Sequence, residues 1–254
     1  MRIADGVEML EISMRMGNEK RIFYPTLLWD DNNVILVDTG FPGAFKYIKD
    51  AITKADIDYN RLDKIIITHQ DIDHIGGLPE ILNDSDHKIL VLSHEDDKSY
   101  IQGDEKLDKI TPERRAQLEE KYKSIPEEGR KAMKNLFLNP PKAKVDATLQ
   151  DGLELPYCRG IKIIHTPGHT PGHTPGHICL YLNQNKILVA GDQLNIDNGE
   201  LLGPNPLHTP DMKQATDSLK KLIDYDIEQI ITYHGGLFKS NPNEKIAELA
   251  NKQA

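Results

Sequence analysis

A dense group of potential metal ligands follows an apolar run of three isoleucines at positions 65–67. Within six positions the chain carries His69, Asp71, Asp73 and His74. A β-branched run of this kind is typical of a buried strand, so the group should lie on the loop just past its end. Carboxylates and imidazoles are costly to desolvate there unless a divalent cation compensates them. The sequence therefore predicts a metal site at the end of a buried strand.

The bulk composition excludes several classes of protein. The chain has 254 residues, of which 38% are hydrophobic, enough for one large domain or two small ones. Its net charge is −9 and its basic residues are scattered, which argues against nucleic-acid binding. No stretch approaches the ~18 apolar residues of a membrane span, and the first residues lack the apolar core of a signal peptide. We expect a cytoplasmic protein with no membrane or nucleic-acid partner.

Apolar periodicity predicts two halves that each mix strands with helices. The predicted strands are Val7 to Met14, Arg21 to Trp29, Val34 to Val37, Leu62 to Thr68, Lys88 to Leu92, Gly160 to Ile164, His177 to Leu182, Lys186 to Ala190 and Ile227 to Thr232. The predicted helices are Ala44 to Lys54, Leu78 to Leu82, Asp211 to Leu222 and Asn243 to Asn251. No linker rich in Gly, Ser or Pro divides the chain. This pattern favours a single α/β domain, residues 1–254, in which two packed sheets are flanked by helices.

Residues 96–141 differ in character from both halves. The segment is highly charged and mostly helix-forming, with sparse apolar positions and a helix start at residues 111–113 (Thr-Pro-Glu). It predicts a helical insertion that caps a site. A solvated helical excursion is an equally compatible interpretation.

Three successive Thr-Pro-Gly-His units occupy residues 166–177 and follow His165. Proline and glycine in every unit preclude a regular helix or a central strand. The segment should instead be a chain of turns that presents imidazoles at four-residue spacing. We expect one of these imidazoles to complete the ligands of a metal ion.

Two further candidate ligands also stand just beyond predicted strands. Asp192 ends the segment Val-Ala-Gly-Asp at 189–192, and its two oxygens could bridge two cations. His234 lies in the segment Thr-Tyr-His-Gly-Gly at 232–236. Each motif alone is weak, but open α/β sheets place their sites at strand ends. Four concordant groups at such positions therefore predict one shared site.

With these motifs the chain resembles the metallo-β-lactamase superfamily of binuclear metallohydrolases, from Asp38 to His234. The resemblance implies an αβ/βα sandwich of two mixed β-sheets with outer helices. It also implies two divalent metal ions, with zinc favoured. Carried over from the family motif His-x-His-x-Asp-His, the first metal is bound by His69 and the second by Asp73, His74 and His234. On the same resemblance, Asp192 would bridge the ions, and Asp38 would orient a ligand from behind the site.

Asp71 departs from the family pattern because it stands where the motif has its second histidine. A carboxylate is a harder ligand than imidazole, which makes iron or manganese more plausible. The flavodiiron branch has Glu at this place, although that branch also carries a flavodoxin domain. A weaker or empty first site is the other interpretation of Asp71.

The histidine repeat is the second departure. Glyoxalase II and the quorum-quenching lactonases usually show a ligand His and, four residues later, a non-ligand His that begins a strand. Counted back from the strand at residue 178, His173 is the ligand and His177 the non-ligand; counted forward from residue 164, the ligand is His169. His173 is preferred, and His169 stays open.

The predicted activity is hydrolysis of a small carbonyl substrate. Two cations ~3.5–4 Å from each other would activate the attacking water by lowering its pKa toward ~7. Asp73 is the predicted catalytic residue, since it could bind metal and receive a proton. Tyr233 and His208 are candidate leaving-group acids by position only, although structural roles suit them better. A lactone or ester is the first choice of substrate, before a thioester or a β-lactam. A diiron redox protein and a non-catalytic metal-binding protein are the alternatives from other classes.

Overall fold

The structure is a computed structural model that describes residues 1–16, 19–105, 127, 129–131, 136, 139–168, 175–204, 209 and 211–251. In chain order the described strands are β1 Arg2–Ala4, β2 Val7–Met9, β3 Ile12–Met16, β4 Glu19–Phe23, β5 Thr26–Trp29, β6 Val34–Val37, β7 Lys64–Ile66, β8 Leu90–His94, β9 Ala147–Leu149, β10 Glu154–Leu155, β11 Ile161–His165, β12 Ile178–Leu182, β13 Ile187–Val189, β14 Asn195–Asp197, β15 Glu200–Leu202, β16 Gln229–Thr232 and β17 Gly236–Phe238. The described α-helices are α1 Phe45–Lys54, α2 Ile72–Ile75, α3 Leu78–Asp84, α4 Glu95–Gln102, α5 Met212–Leu222 and α6 Pro242–Asn251, and a 3₁₀ turn spans Tyr59–Arg61.

Two mixed sheets carry most of these strands. The first sheet has the order β1-β2-β5-β6-β7-β8-β9, and its neighbours from β6 to β9 are parallel. The second has the order β10-β11-β12-β13-β16-β17, in which β13 and β16 are parallel. The carboxyl ends of parallel neighbours meet at one edge of a sheet. The loops that leave β6 and β7, and those that leave β13 and β16, are therefore brought together in pairs.

The two faces of the first sheet bury different partners. In β6, Val34 and Leu36 join the cluster that contains Ile48 of α1 and Leu78 of α3. Ile35 and Val37 alternate with them and face the cluster that includes residues of the second sheet. The outer face of the second sheet packs against α5 and α6 in the same way. This double burial explains the continuously apolar β6, and it confirms the predicted sandwich of two sheets between helices.

The predicted strands Val7 to Met14 and Arg21 to Trp29 are each wrong as single strands. The first divides into β2 and β3, and the second into β4 and β5. Among the described strands, β3 and β4 pair only with each other, outside the large sheet. Pro25 stands at the second break, where its carbonyl accepts the backbone N–H of Leu10. Because proline has no N–H to donate, it ends the strand there and the chain leaves the small ladder for the large one.

Much of the segment predicted as an inserted cap, 96–141, lies outside the described residues, as do His169, His173 and His208. The described part of the segment opens with α4, whose first residue directly follows β8. None of the helices in the described part of the chain has the length and apolar content needed to cross a bilayer.

Candidate metal centre

Candidate ligands from both sheets meet at the carboxyl ends of the strands. Thr68 and His69 follow β7. Asp71 directly precedes α2, and Asp73 and His74 lie within that helix. Asp192 follows β13, and His234 follows β16. The backbone joins the two halves here, because the N–H of Ile178 at the start of β12 donates to the carbonyl of Thr68 at 2.9 Å. The predicted placement of these groups at one shared position is therefore observed.

One group of three candidate ligands consists of His69, His74 and Asp192, all of them buried. Asp192 Oδ1 lies 3.4 Å from His74 Nε2, and its Oδ2 lies 4.0 Å from His69 Nε2. The centroids of the two imidazole rings are 3.9 Å apart. The two carboxylate oxygens of Asp192 thus face different imidazoles.

A second group of three consists of Asp73, His74 and His234. His234 Nε2 lies 3.1 Å from Asp73 Oδ2 and 3.5 Å from Asp192 Oδ1. His74 Nε2 lies 4.0 Å from Asp73 Oδ2. Asp192, a member of the first group, therefore also approaches His234 of the second, and His74 belongs to both groups.

Asp71 lies beside the first group. Its Oδ2 is 3.6 Å from His69 Nε2. Its backbone starts α2, the short helix that aims Asp73 and His74 into the site. Six of the eight predicted ligands are therefore together, and the other two, His169 and His173, lie outside the described residues.

Asp38 and Thr68 fix the ring of His74 from behind. Asp38 accepts a hydrogen bond from Thr68 N on Oδ1 at 2.8 Å, and on Oδ2 one from Thr68 Oγ1 at 2.8 Å. Oδ2 also lies 2.9 Å from His74 Nδ1. In this contact Nδ1 donates its proton to Asp38, and Nε2, on the other side of the ring, faces the site. Thr39 adds its N–H and hydroxyl to the carbonyl of His74, both at 2.7 Å.

The electrostatics of the site favour a cation. Burial lowers the pKa of His74, but the carboxylates of Asp38, Asp192 and Asp73 outweigh it and raise that pKa well above its ordinary value. Burial also lowers the pKa of His234, but the carboxylates of Asp192 and Asp73 outweigh it and raise that pKa to about 10. Carboxylates that hold protons on imidazoles in this way also attract metal ions, which displace those protons.

The donors also fit metal ions chemically. Nε2 of His74 is buried and makes no hydrogen bond within the described part of the chain, although carboxylates lie 3.4 and 4.0 Å away. A cation in contact with this nitrogen would satisfy it. Imidazole nitrogen and carboxylate oxygen together suit zinc, iron or manganese.

His177 supports the backbone of Asp192. Its Nε2 accepts the N–H of Asp192 at 3.2 Å, and its Nδ1 lies 2.8 Å from Thr166 Oγ1. Gly191 has a φ of +52°, and a Cβ there would lie 2.8 Å from His177 Nε2. Sequence reasoning did not find the role of Thr166 or of Thr68, because a lone threonine beside a histidine has no distinctive signal.

Tyr233 has partners that suit a structural role. Its hydroxyl donates to the carbonyl of Asp73 at 2.5 Å, and its ring lies 3.9 Å from that of His74. Burial raises the pKa of its phenol well above the ordinary value. This side chain therefore supports the backbone and ring of two candidate ligands.

His94, Asp96 and His165 form another group whose donor atoms lie within 4.8 Å of one another. The two imidazole rings are stacked, 3.9 Å apart and 12° from parallel. Nδ1 of His94 accepts the N–H of Asp96 at 3.2 Å, and Nε2 of His165 lies 2.6 Å from the carbonyl of Pro175. Lone pairs in nearly parallel planes do not converge on one ion, so this cluster is a poor metal site.

The sequence profile of the metallo-beta-lactamase superfamily matches residues 24–234. The match runs from just before β5 to His234 and covers every candidate ligand. This chain is a member of the metallo-beta-lactamase superfamily.

Relatives of this superfamily match over most of their length. A curated Bacillus subtilis protein named "Probable metallo-hydrolase YflN" is 28% identical over 249 residues, which are 91% of this chain and 86% of that protein. A Thermus thermophilus family member has a TM-score of 0.65 at 21% identity, with 98% of this chain and 79% of that one covered. A Pontibacter korlensis metallo-beta-lactamase has a TM-score of 0.67 at 15% identity, with 100% and 98% covered.

Membership confirms several predictions. The sandwich is the metallo-beta-lactamase fold, and the chain is a metal-dependent hydrolase by family. The described residues include groups of candidate metal ligands, and the assignment of each ligand to an ion stays a prediction. The lactonase or glyoxalase II branch, the identity and number of the ions and the role of Asp71 stay predictions.

Replacing Asp38 with Asn tests how this superfamily member orients His74. Asn tolerates the left-handed backbone of Asp38, whose φ is 64°, but its amide cannot accept all three hydrogen bonds. We expect zinc affinity to fall by about 10–100-fold, measured by competition with a chelating dye. Asp56→Asn is the matched control, because Asp56 has a φ of 60° and is exposed. Equal zinc affinity in both variants would contradict the orienting role.

Proposed function

We propose that this protein is a binuclear metal-dependent hydrolase of small carbonyl compounds, with lactones or esters as its first substrates. The observation that carries the proposal is the position of Asp192 between the ligands proposed for two ions. One oxygen lies 3.4 Å from His74 and 3.5 Å from His234, and the other lies 4.0 Å from His69. A carboxylate in that position can serve two cations at once.

The proposed ligands divide between two ions that share Asp192. The first ion takes His69, Asp71 and either His173 or His169. The second takes Asp73, His74 and His234. Zinc is the favoured metal, and the carboxylate of Asp71, 3.6 Å from His69 Nε2, keeps iron and manganese open.

Bound divalent ions would supply a lowered water pKa and polarisation of the substrate carbonyl. The chain's own residues hold the geometry for that chemistry. Asp38 keeps the proton of His74 on Nδ1, so Nε2 points into the site. Asp73, with a side chain 19% exposed, is the proposed catalytic carboxylate that receives a proton from the attacking water.

One consideration supports a lactone or ester before a thioester or a β-lactam. The histidine motif does not contribute to this choice, since the lactonases and glyoxalase II share it. The segment 96–141, proposed as a cap, would cover a small substrate above the strand ends. A small-molecule substrate also agrees with the chemistry of the superfamily.

The test measures metal content and turnover on one preparation. Protein is loaded with zinc, iron or manganese, analysed for bound metal and assayed against lactones, esters, thioesters and β-lactams. We expect two ions per chain and fastest turnover of a lactone or ester. Full turnover by metal-free protein would contradict the whole proposal. Preference for a thioester or a β-lactam would contradict the proposed substrate class and leave the metal-dependent mechanism in place.

Asp71 favours one competing function, a diiron redox protein. A carboxylate beside His69 would suit iron better than an all-imidazole site does. Protein that retains iron, shows an iron-based visible band and turns over oxygen or peroxide without hydrolysis would support this alternative. Metal-bound protein without either activity would instead support a non-catalytic role.

A further inference from the structure

Asp97 is a fully buried carboxylate outside the groups of candidate ligands. It lies in the first turn of α4, beside Asp96, whose side chain is 49% exposed. Burying a carboxylate is costly unless hydrogen bonds or charges compensate it. The hydrogen bonds that Asp97 accepts show what it does in the fold.

Its two oxygens accept backbone N–H groups from two separate segments. Oδ2 accepts the N–H of Gln70 at 3.0 Å, and Oδ1 accepts the N–H of Gly176 at 2.8 Å. Gln70 stands between the candidate ligands His69 and Asp71. Gly176 belongs to the last Thr-Pro-Gly-His unit and directly precedes His177.

The contact with Gly176 reaches the site through His177. That imidazole accepts the N–H of Asp192 at 3.2 Å. One carboxylate therefore ties the loop that carries His69 to the segment that supports the backbone of Asp192. Only a carboxylate offers two acceptor oxygens and no donor, so Asn at this position would leave one of the two buried N–H groups without an acceptor.

We propose that Asp97 is a positioning residue that sets the spacing between the two ligand-bearing segments and thereby the affinity and geometry of the metal centre. The inference rests on the proposed metal-dependent function. It predicts that Asp97 affects metal binding itself, in addition to any effect on stability.

The experiment compares zinc affinity and the cobalt absorption spectrum of full-length variants. Asp97→Asn should weaken zinc binding by at least about ten-fold and shift the visible bands of bound cobalt. Gly176→Ala is the second variant, because a Cβ there would lie 2.7 Å from the Asp97 carboxylate and push it aside. It should produce a smaller change in the same direction.

Asp30→Asn is the matched control. Asp30 also joins two segments by accepting backbone N–H groups, from Asn33 in its own turn at 2.7 Å and from the distant Cys158 at 2.8 Å, but at the opposite edge of the sheet. It should lower the melting temperature and leave zinc affinity and the cobalt spectrum unchanged.

The outcomes separate this inference from the proposed function. Wild-type protein that binds no metal would reject both. Wild-type protein that binds zinc, with Asp97→Asn folded and equal in affinity and spectrum, would reject the positioning role alone. If Asp97→Asn does not fold, Gly176→Ala decides by the same measurements. Failure of both variants to fold would show a purely structural residue and also reject the role.

Discussion

Replacing Asp192 with Asn is expected to remove nearly all hydrolytic turnover and at least one of the two metal ions. Asp192 faces ligands proposed for both ions, at 4.0 Å from His69 Nε2 of the first and 3.4 Å from His74 Nε2 of the second. An amide keeps the volume but loses the charge and offers one oxygen where the carboxylate offers two. The loss of turnover should exceed the roughly 10–100-fold typical of replacing a residue that only orients a ligand.

The measurements are metal content per chain and kcat/KM for the best substrate. Asp197→Asn is the control, since Asp197 is exposed at the end of β14 in the same half of the protein. It should retain wild-type metal content and turnover. Two bound ions together with wild-type turnover in Asp192→Asn would show that this carboxylate does not bridge the ions.

The location of the centre could be predicted from sequence because its signals are local. The apolar runs before Thr68, Asp192 and His234 mark strands whether or not their partners are known. Strand ends in open α/β folds are where sites form. Side chains that follow such runs are therefore expected in one region. In the structure, Nε2 of His69, His74 and His234 each lies within 4.0 Å of a carboxylate oxygen of Asp192.

The supporting residues could not be predicted, because their roles depend on contacts between distant segments. Asp96 and Asp97 are neighbours of the same type, yet one is half exposed and the other is fully buried against two loops. The phase of α4 relative to those loops decides which is which, and nothing in the local sequence encodes it. Asp38 was found only because a family pattern marks it.

The edges of the fold were predicted less well than its centre. Continuous burial makes β6 recognisable from four apolar residues. By contrast, the breaks that separate β3 and β4 from the large sheet fall inside runs that read as continuous strands. The break between β4 and β5 has a local signal in Pro25. The break between β2 and β3 has none, and its position depends on which ladder each segment joins, a choice made by tertiary pairing rather than by β-propensity. The choice between His169 and His173 is likewise not local, since the same four residues, Thr-Pro-Gly-His, follow each of them in the sequence.

Removing the metal is expected to lower the melting temperature substantially. The metal-free centre holds Asp38, Asp73 and Asp192 close together, with imidazoles whose protons partly compensate them. The unfolded chain has no such site, so binding stabilises the folded state alone. Zinc at 100–1,000 times its Kd contributes about 2.7–4.1 kcal/mol per independent site, which in a domain of this size corresponds to roughly 5–15 °C.

Thermal unfolding of chelator-treated protein, before and after zinc is restored, measures this effect. Asp197→Asn should show the full rise in melting temperature on zinc addition, and Asp192→Asn only a fraction of it, because its centre is incomplete. Magnesium at the same concentration should stabilise less, since it prefers oxygen ligands and keeps its waters. The expectation would be contradicted if zinc left the melting temperature of the wild-type protein and of Asp192→Asn unchanged. The buried carboxylates and imidazoles would then compensate one another, and no ion would bind among them.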